Sequence, residues 1–281
     1  MKIIITGGSG YLGRPLCNYF QAADFSRRTQ NCDILEPDDC AALAEYDVVI
    51  HLAAHLDKSP EGADECFRVY AEGTAQVLRA LRPNTVFIYA STKDVYGPHA
   101  ANYDEVPEGC PTAYQGQSAL EWSKLLGEYY TQYYGAAQSL RTCILRLSNI
   151  YAPASEGNEY GFVGHYVEAV KYGWPLRLPD GGRPVRDLLH VNDLARACQS
   201  FIDSDLTTGL YNLGGGRDNS MSLRELADTI GHLMDAQPVI DDLARVPAPV
   251  PLNYISDTSR IEGDLGWRPS INIERGLQMI L

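Results

Sequence analysis

The densest chemical signal lies at Thr6-Gly7-Gly8-Ser9-Gly10-Tyr11-Leu12-Gly13, directly after the β-branched run Lys2-Ile3-Ile4-Ile5. Two glycine registers overlap there, Gly8-x-Gly10-x-x-Gly13 and Gly7-x-x-Gly10-x-x-Gly13. Glycines let a backbone turn sharply and approach a pyrophosphate without Cβ clashes, and the N–H groups at a helix start then hold the anion. A purely structural turn is the alternative, but the place after a strand and before a helix favours a dinucleotide site. Downstream, Arg27-Arg28 offers two guanidinium groups that could take a ribose 2′-phosphate. A solvated basic loop explains the pair equally well. His51 and His55 have the i, i+4 spacing of a metal pair, yet they straddle a strand end and no third ligand accompanies them, so no metal is expected.

These groups need a scaffold. Short, nearly continuous apolar runs over Lys2–Thr6, Asp47–His51, Thr85–Ala90 and Thr142–Leu147 predict parallel strands covered on both faces. Helical patterns over Pro37–Ala44, Ala63–Leu81 and Ser118–Tyr134 alternate with them, as in a doubly wound α/β sheet of Rossmann type. Only Gln21–Cys32 is available for a second strand, which predicts a stub near Ala23–Ser26, with Cys32-Asp33-Ile34-Leu35 closing a third strand. Asp33 also has the spacing of an acidic residue that binds the adenosine ribose. Beyond about residue 152, Gly, Pro and Tyr rise, and separate segments follow at Val163–Tyr172, Val191–Asp203, Leu223–Met234 and Ile273–Leu281. The expected division is a dinucleotide-binding domain over 1–152, to which 186–203 returns, and a smaller substrate-binding domain over 153–281. Ala248-Pro249-Val250-Pro251 reads as a rigid loop within the latter.

Composition narrows the partners. At 281 residues, with 45% hydrophobic and 21% charged, the chain is an ordinary globular one. A net charge of −13 argues against nucleic acid and anionic membranes. An anionic ligand must then be held by local arginines and backbone amides. No run of 18 apolar residues predicts a membrane span, and no signal peptide is apparent, so a cytoplasmic location is expected. Seven scattered cysteines without C-x-x-C spacing read as reduced thiols.

Taken together, the chain resembles the extended short-chain dehydrogenase/reductases, specifically the nucleotide-sugar epimerases and dehydratases. The glycine turn resembles that family's cofactor turn, Asp33-Ile34 its adenine-contacting pair, and His51-Leu52-Ala53-Ala54 its strand end beside the nicotinamide ribose. Ser91-Thr92-Lys93-Asp94-Val95-Tyr96-Gly97 is similar to the segment with the catalytic Ser/Thr. Leu145-Arg146-Leu147-Ser148-Asn149-Ile150-Tyr151-Ala152-Pro153 resembles the crossing into the substrate domain, and Val185-Arg186-Asp187-Leu188-Leu189-His190 the segment whose arginine meets the sugar-nucleotide diphosphate. Tyr211-Asn212-Leu213-Gly214-Gly215-Gly216 and Leu265-Gly266-Trp267-Arg268-Pro269 complete the series. The resemblance implies NAD or NADP as cofactor, with Gly7, Gly10, Tyr11, Leu12, Gly13, Arg27, Asp33, Ile34, Leu52, Ala53, Ala54 and Lys124 around it. It implies a nucleotide-sugar substrate met by Thr92, Asn149 and Arg186, hydride transfer at a sugar carbon, and a homodimer formed through helices 63–81 and 118–134. For Arg186 an ion pair with Asp187 is the plainer alternative. A second phosphate-binding arginine is missing from Val250–Ser256, with Arg245 the nearest upstream. Tyr96 is expected to pack, as is the run Tyr129-Tyr130, Tyr133-Tyr134.

One departure matters most. In relatives a tyrosine four residues before the lysine moves the proton, its pKa lowered by the ammonium. Lys124 matches the lysine, but Leu120 stands in the tyrosine position. Three readings stay open. Tyr114 or Asp94 has taken over, Asp94 matching the general base of the dehydratases, with Lys93 where their acid stands. Alternatively the site binds without redox chemistry, or the helix begins in another register. A ketoreductase in which Lys124 or solvent supplies the proton is a further possibility.

Overall fold

The computed structural model describes residues 1–154, 161–241, 245–246 and 249–281. Of the proline loop, Ala248 lies outside the described residues. Six parallel strands form the main sheet: β1 (Ile3–Thr6), β2 (Ala23–Phe25), β3 (Val48–His51), β4 (Val86–Thr92), β5 (Arg141–Leu147) and β8 (Thr208–Leu213), in the order β2-β1-β3-β4-β5-β8. The Rossmann-type expectation holds. A second, three-stranded sheet pairs β7 (Val185–His190) with β6 (Asn149–Tyr151) on one side and β9 (Ser220–Ser222) on the other.

The apolar runs form strands because both sheet faces are covered. Ile5, Ile50, Ile88 and Leu145 point to one layer, where α1 (Gly13–Phe20) and α8 (Val191–Asp203) contribute Leu16, Leu194 and Phe201. Ile4, Val49, Phe87 and Ile144 alternate to the other, against Val77 and Leu78 of α5 (Thr74–Ala80) and Leu120 of α6 (Ala119–Gln138). Short helices α2 (Arg27–Gln30) and α3 (Pro37–Ala41) follow β2, and α4 (Ala63–Phe67) runs into α5 through a π-helical turn, Arg68–Gly73. A smaller core joins α7 (Phe162–Tyr172), α9 (Leu223–Met234) and α11 (Ile273–Gln278) over β7, while α10 (Ser259–Leu265) places Ile261 in the first layer.

One detail differs from expectation. Cys32–Leu35 is not a strand. The chain leaves β2 through α2 and turns at Asp33, whose Oδ1 accepts from Leu35 N at 3.0 Å, so β2 is the sheet edge. Twelve or so residues cannot supply both a crossover and a further strand. In the second half, β7 pairs within the small sheet, whereas α8 and β8 join the main one.

A buried ion pair locks α6 to the sheet. Arg146 on β5 donates through Nη2 to Glu128 Oε2 at 2.7 Å and through Nε to Oε1 at 3.0 Å. Ser91 Oγ donates to the same Oε1 at 2.5 Å, and Arg146 Nη1 donates to Tyr96 Oη at 3.0 Å. Tyr96 in turn donates to Asn212 Oδ1 on β8 at 2.6 Å. Replacing Arg146 alone by leucine strands the Glu128 carboxylate and is expected to cost about 3–5 kcal/mol in urea unfolding. Replacing Arg146 and Glu128 together by leucine and methionine is expected to cost less than that single change.

Candidate active site

The cofactor turn is built as its glycines require. Gly7 has φ +72°, and Gly10 N donates to Gly7 O at 3.0 Å. A Cβ on Gly13 would lie 2.2 Å from that same Gly7 oxygen, so α1 packs against the turn only without a side chain there. Gly10, Tyr11, Leu12 and Gly13 thus open α1 into a cleft of about 1120 Å³ that runs from Arg27 and Asp33 to Thr92 and Lys124. Tyr11 also reaches out of the turn: its hydroxyl donates to Ala152 O at 2.9 Å and accepts from Ala152 N at 2.7 Å.

Along the cleft, the structure brings together all the residues expected to surround the cofactor. Gly7, Gly10, Tyr11, Leu12, Gly13, Arg27, Asp33, Ile34, Leu52, Ala53, Ala54 and Lys124 all line it. The donor set, the bare glycine cradle and a volume above the roughly 300–1,000 Å³ of ordinary ligand pockets fit a dinucleotide with room for part of a second ligand.

At the reactive end, a capping box fixes the start of α6. Ser118 N donates to Glu121 Oε2 at 2.7 Å, which sets Leu120 and Lys124 one turn apart. Both line the cleft, with the apolar Leu120 side chain one turn before Lys124 on the same wall. Lys124 is buried. Its Nζ donates to Ala90 O at 2.5 Å and sits 4.3 Å over the Tyr70 ring. Burial pushes its ammonium down to about 7, with Glu128 partly opposing the shift. Tyr70 stands in the π-helical turn and its hydroxyl is committed to His55, donating to O at 2.7 Å and accepting from N at 3.0 Å. His51 is buried beside Thr6 and Thr74, its ring nitrogens 2.7 and 3.0 Å from their hydroxyls, and burial drives its pKa down to about 3.

Thr92 closes β4 on the cleft wall and accepts from Asp94 N at 3.2 Å. Asp94 also lines the cleft, but as an ion-pair partner. It lies 2.5 Å from Lys93 Nζ and 3.2 Å from Lys58 Nζ. Burial alone would raise its carboxyl; the two ammonium groups outweigh that and hold it well below the usual carboxylate range. Such a carboxylate is a weak proton acceptor. Lys58, which spacing did not single out, reaches from the loop after β3 and also binds Glu121 Oε1 at 2.6 Å. Tyr114 is 62% exposed, does not line the cleft and stacks on Trp122 at 5.6 Å. Its loop is pinned outward, Ala113 O lying 3.1 Å from both His99 Nε2 and Gln117 Nε2.

Asn149 and Arg186 lie in the small sheet, and neither lines the cleft. Asn149 Nδ2 donates to Asp187 O at 3.3 Å. Arg186 Nη1 donates to Val185 O and Leu252 O, each at 2.7 Å, which fixes the guanidinium against the 251–252 loop. The plainer alternative, a pair with Asp187, does not form: that carboxylate is buried and accepts from Ser256 N at 3.1 Å and Gly216 N at 3.3 Å. Arg245 is exposed.

A six-stranded doubly wound sheet with a glycine-turn cleft ending at a Thr and a buried Lys defines a dinucleotide-dependent enzyme fold. Residues 3–214, more than half of the chain, match the model of the NAD dependent epimerase/dehydratase family. The chain belongs to that family. It is 25% identical, over 328 aligned residues, to dTDP-glucose 4,6-dehydratase of Haemophilus influenzae, with 99% of this chain and 96% of that one covered. Its fold is similar to that of MoeE5 in complex with UDP-glucose and NAD, at a TM-score of 0.83, 20% identity and coverage of 100% and 97%. It is also similar to that of RMD from Pseudomonas aeruginosa complexed with NADPH, at a TM-score of 0.79, 24% identity and coverage of 100% and 98%.

Gly13→Ala tests the cradle. With a Cβ meeting the Gly7 oxygen, dinucleotide affinity measured by calorimetry is expected to fall at least tenfold.

Proposed function

We propose that this protein transforms a nucleotide sugar by reversible hydride transfer at a sugar carbon, with Lys124 as the proton-transferring group in place of the absent tyrosine. The observation that carries the reading is the single cleft joining the glycine turn to Thr92 and a lysine whose pKa is about 7. A group that titrates near the working pH transfers protons efficiently in both directions. The bound dinucleotide supplies the site that accepts and returns the hydride. Thr92 Oγ1 orients the reacting sugar oxygen, and neutral Lys124 takes the hydroxyl proton as the carbon is oxidised. The resulting ammonium then returns that proton when the carbon is reduced. In this reading the nucleotide end falls to Asn149 and Arg186 of the small sheet, Arg186 being a permanently charged partner for diphosphate. Asp94 acts as a positioning residue that holds Lys58 and Lys93, which favours epimerisation or ketone reduction over elimination, since its carboxylate is doubly paired.

In the same reading the protein is a cytoplasmic homodimer, with the main sheet and its helices, α8 included, serving the cofactor and the small sheet, with Asn149 and Arg186, serving the substrate. Seven cysteines, none in a disulfide, support a reducing compartment. No helix among the described residues is long and apolar enough to cross a membrane. Phe67, Leu126, Tyr129, Tyr130 and Tyr133 are exposed on α4 and α6, an apolar surface suited to a second copy. Sedimentation at micromolar concentration is expected to give twice the chain mass.

Lys124→Met is expected to reduce turnover of a UDP- or dTDP-hexose at least a hundredfold. The wild-type rate of sugar oxidation should rise with pH through about 7 as Lys124 loses its proton, and the rate of ketone reduction should fall over the same interval. Tyr114→Phe is expected to stay within twofold of wild type. An inert wild type that gains strong activity on Leu120→Tyr would instead support a redox-silent nucleotide-binding role.

A further inference from the structure

We infer that the adenosine end of the cleft is built for a ribose 2′-phosphate, held by Arg27 and Arg28, so that the chain prefers NADP to NAD. The inference rests on the dinucleotide reading of the cleft and specifies which dinucleotide.

A 2′-hydroxyl is recognised by a carboxylate at the end of the second strand, a 2′-phosphate by an arginine nearby. Here the carboxylate on β2 is turned away. A Cβ on Gly8 would meet Asp24 Oδ1 at 2.5 Å, which places that oxygen beneath the glycine turn, and Asp24 Oδ2 accepts from Ser26 Oγ at 2.9 Å and from Thr29. Asp24 is not a wall of the cleft. The residue that follows β2 is Ser26, which lines the cleft with a neutral hydroxyl. Next come Arg27 and Arg28, both exposed and both lining it. The nearest cleft carboxylate, Asp33, is engaged in its own turn through Leu35 N and lies 3.7 Å from Arg27 Nη1. It thus orients one guanidinium rather than offering both oxygens to a ribose.

Two further observations agree. Because β2 is the sheet edge, no outer strand encloses this rim, which leaves space for an extra phosphate. A dianionic group approaching a chain of net charge −13 also needs local cations, and Arg27 and Arg28 stand side by side at this point. Both arginines line the same end of the cleft as Phe25 and Ile34, apolar walls suited to an adenine ring.

The test is calorimetric titration of the full chain with NADP⁺ and with NAD⁺. NADP⁺ is expected to bind at least tenfold tighter at low salt, and that ratio should shrink as ionic strength rises. In Arg27→Ala/Arg28→Ala the ratio is expected to collapse towards parity, while Ser26→Asp should invert it. Tighter binding of NAD⁺ than NADP⁺ by the wild type would overturn the inference while leaving the dinucleotide reading intact. So would a wild-type preference for NADP⁺ that the double variant retains. Failure of both dinucleotides to bind would overturn the dinucleotide reading, and the inference with it.

Discussion

Arg146 and Glu128 face each other in the interior, each worth several kcal/mol of desolvation if left alone, so neither can move without the other. Arg146 belongs to β5 and Glu128 to α6, and the pair therefore fixes how the longest helix lies on the sheet. Ser91, Tyr96 and Asn212 extend the network to β4, to the segment after it and to β8. Apolar packing alone would let α6 slide along the sheet at modest cost. A directional network of charged hydrogen bonds allows one position only.

That position has a chemical result. Lys124 lies one turn before Glu128, so the same anchoring carries its ammonium into the interior beside Ala90 O and the Tyr70 ring. Burial lowers its pKa and Glu128 returns part of the loss, leaving it near neutrality. The π-helical turn completes the arrangement by presenting Tyr70 under the ammonium while its hydroxyl stays engaged by His55. The wall of the cleft thus carries an apolar Leu120 and, one turn on, a titratable Lys124.

What was legible in the sequence was what is local or periodic. The glycine turn, four of the strands, Thr92 and Lys124 are read from contiguous residues, and alternation along β1, β3, β4 and β5 sorts their side chains into the two layers. What was not legible depends on partners far along the chain. Lys58 gains its place only because Asp94 and Glu121 stand 36 and 63 residues away. Tyr114 sits in a plausible loop, yet His99 and Gln117 turn that loop outward. The expected strand at Cys32–Leu35 fails for want of chain length. The direction of Arg186 is decided by carbonyls of the 251–252 loop, which are invisible to motif reading.

Tyr11 belongs to two places at once. Its backbone is part of the phosphate-binding turn, and its hydroxyl is clamped on both polar groups of Ala152, two residues after the start of the stretch Ile150–Ala152 that leads out of the sheet. Its ring also packs under Gly161, where a Cβ would lie 2.8 Å from Cε1. One phenol thus ties the phosphate-binding turn to the chain segment that enters the smaller sheet, so that a displacement of either would break two hydrogen bonds to the other.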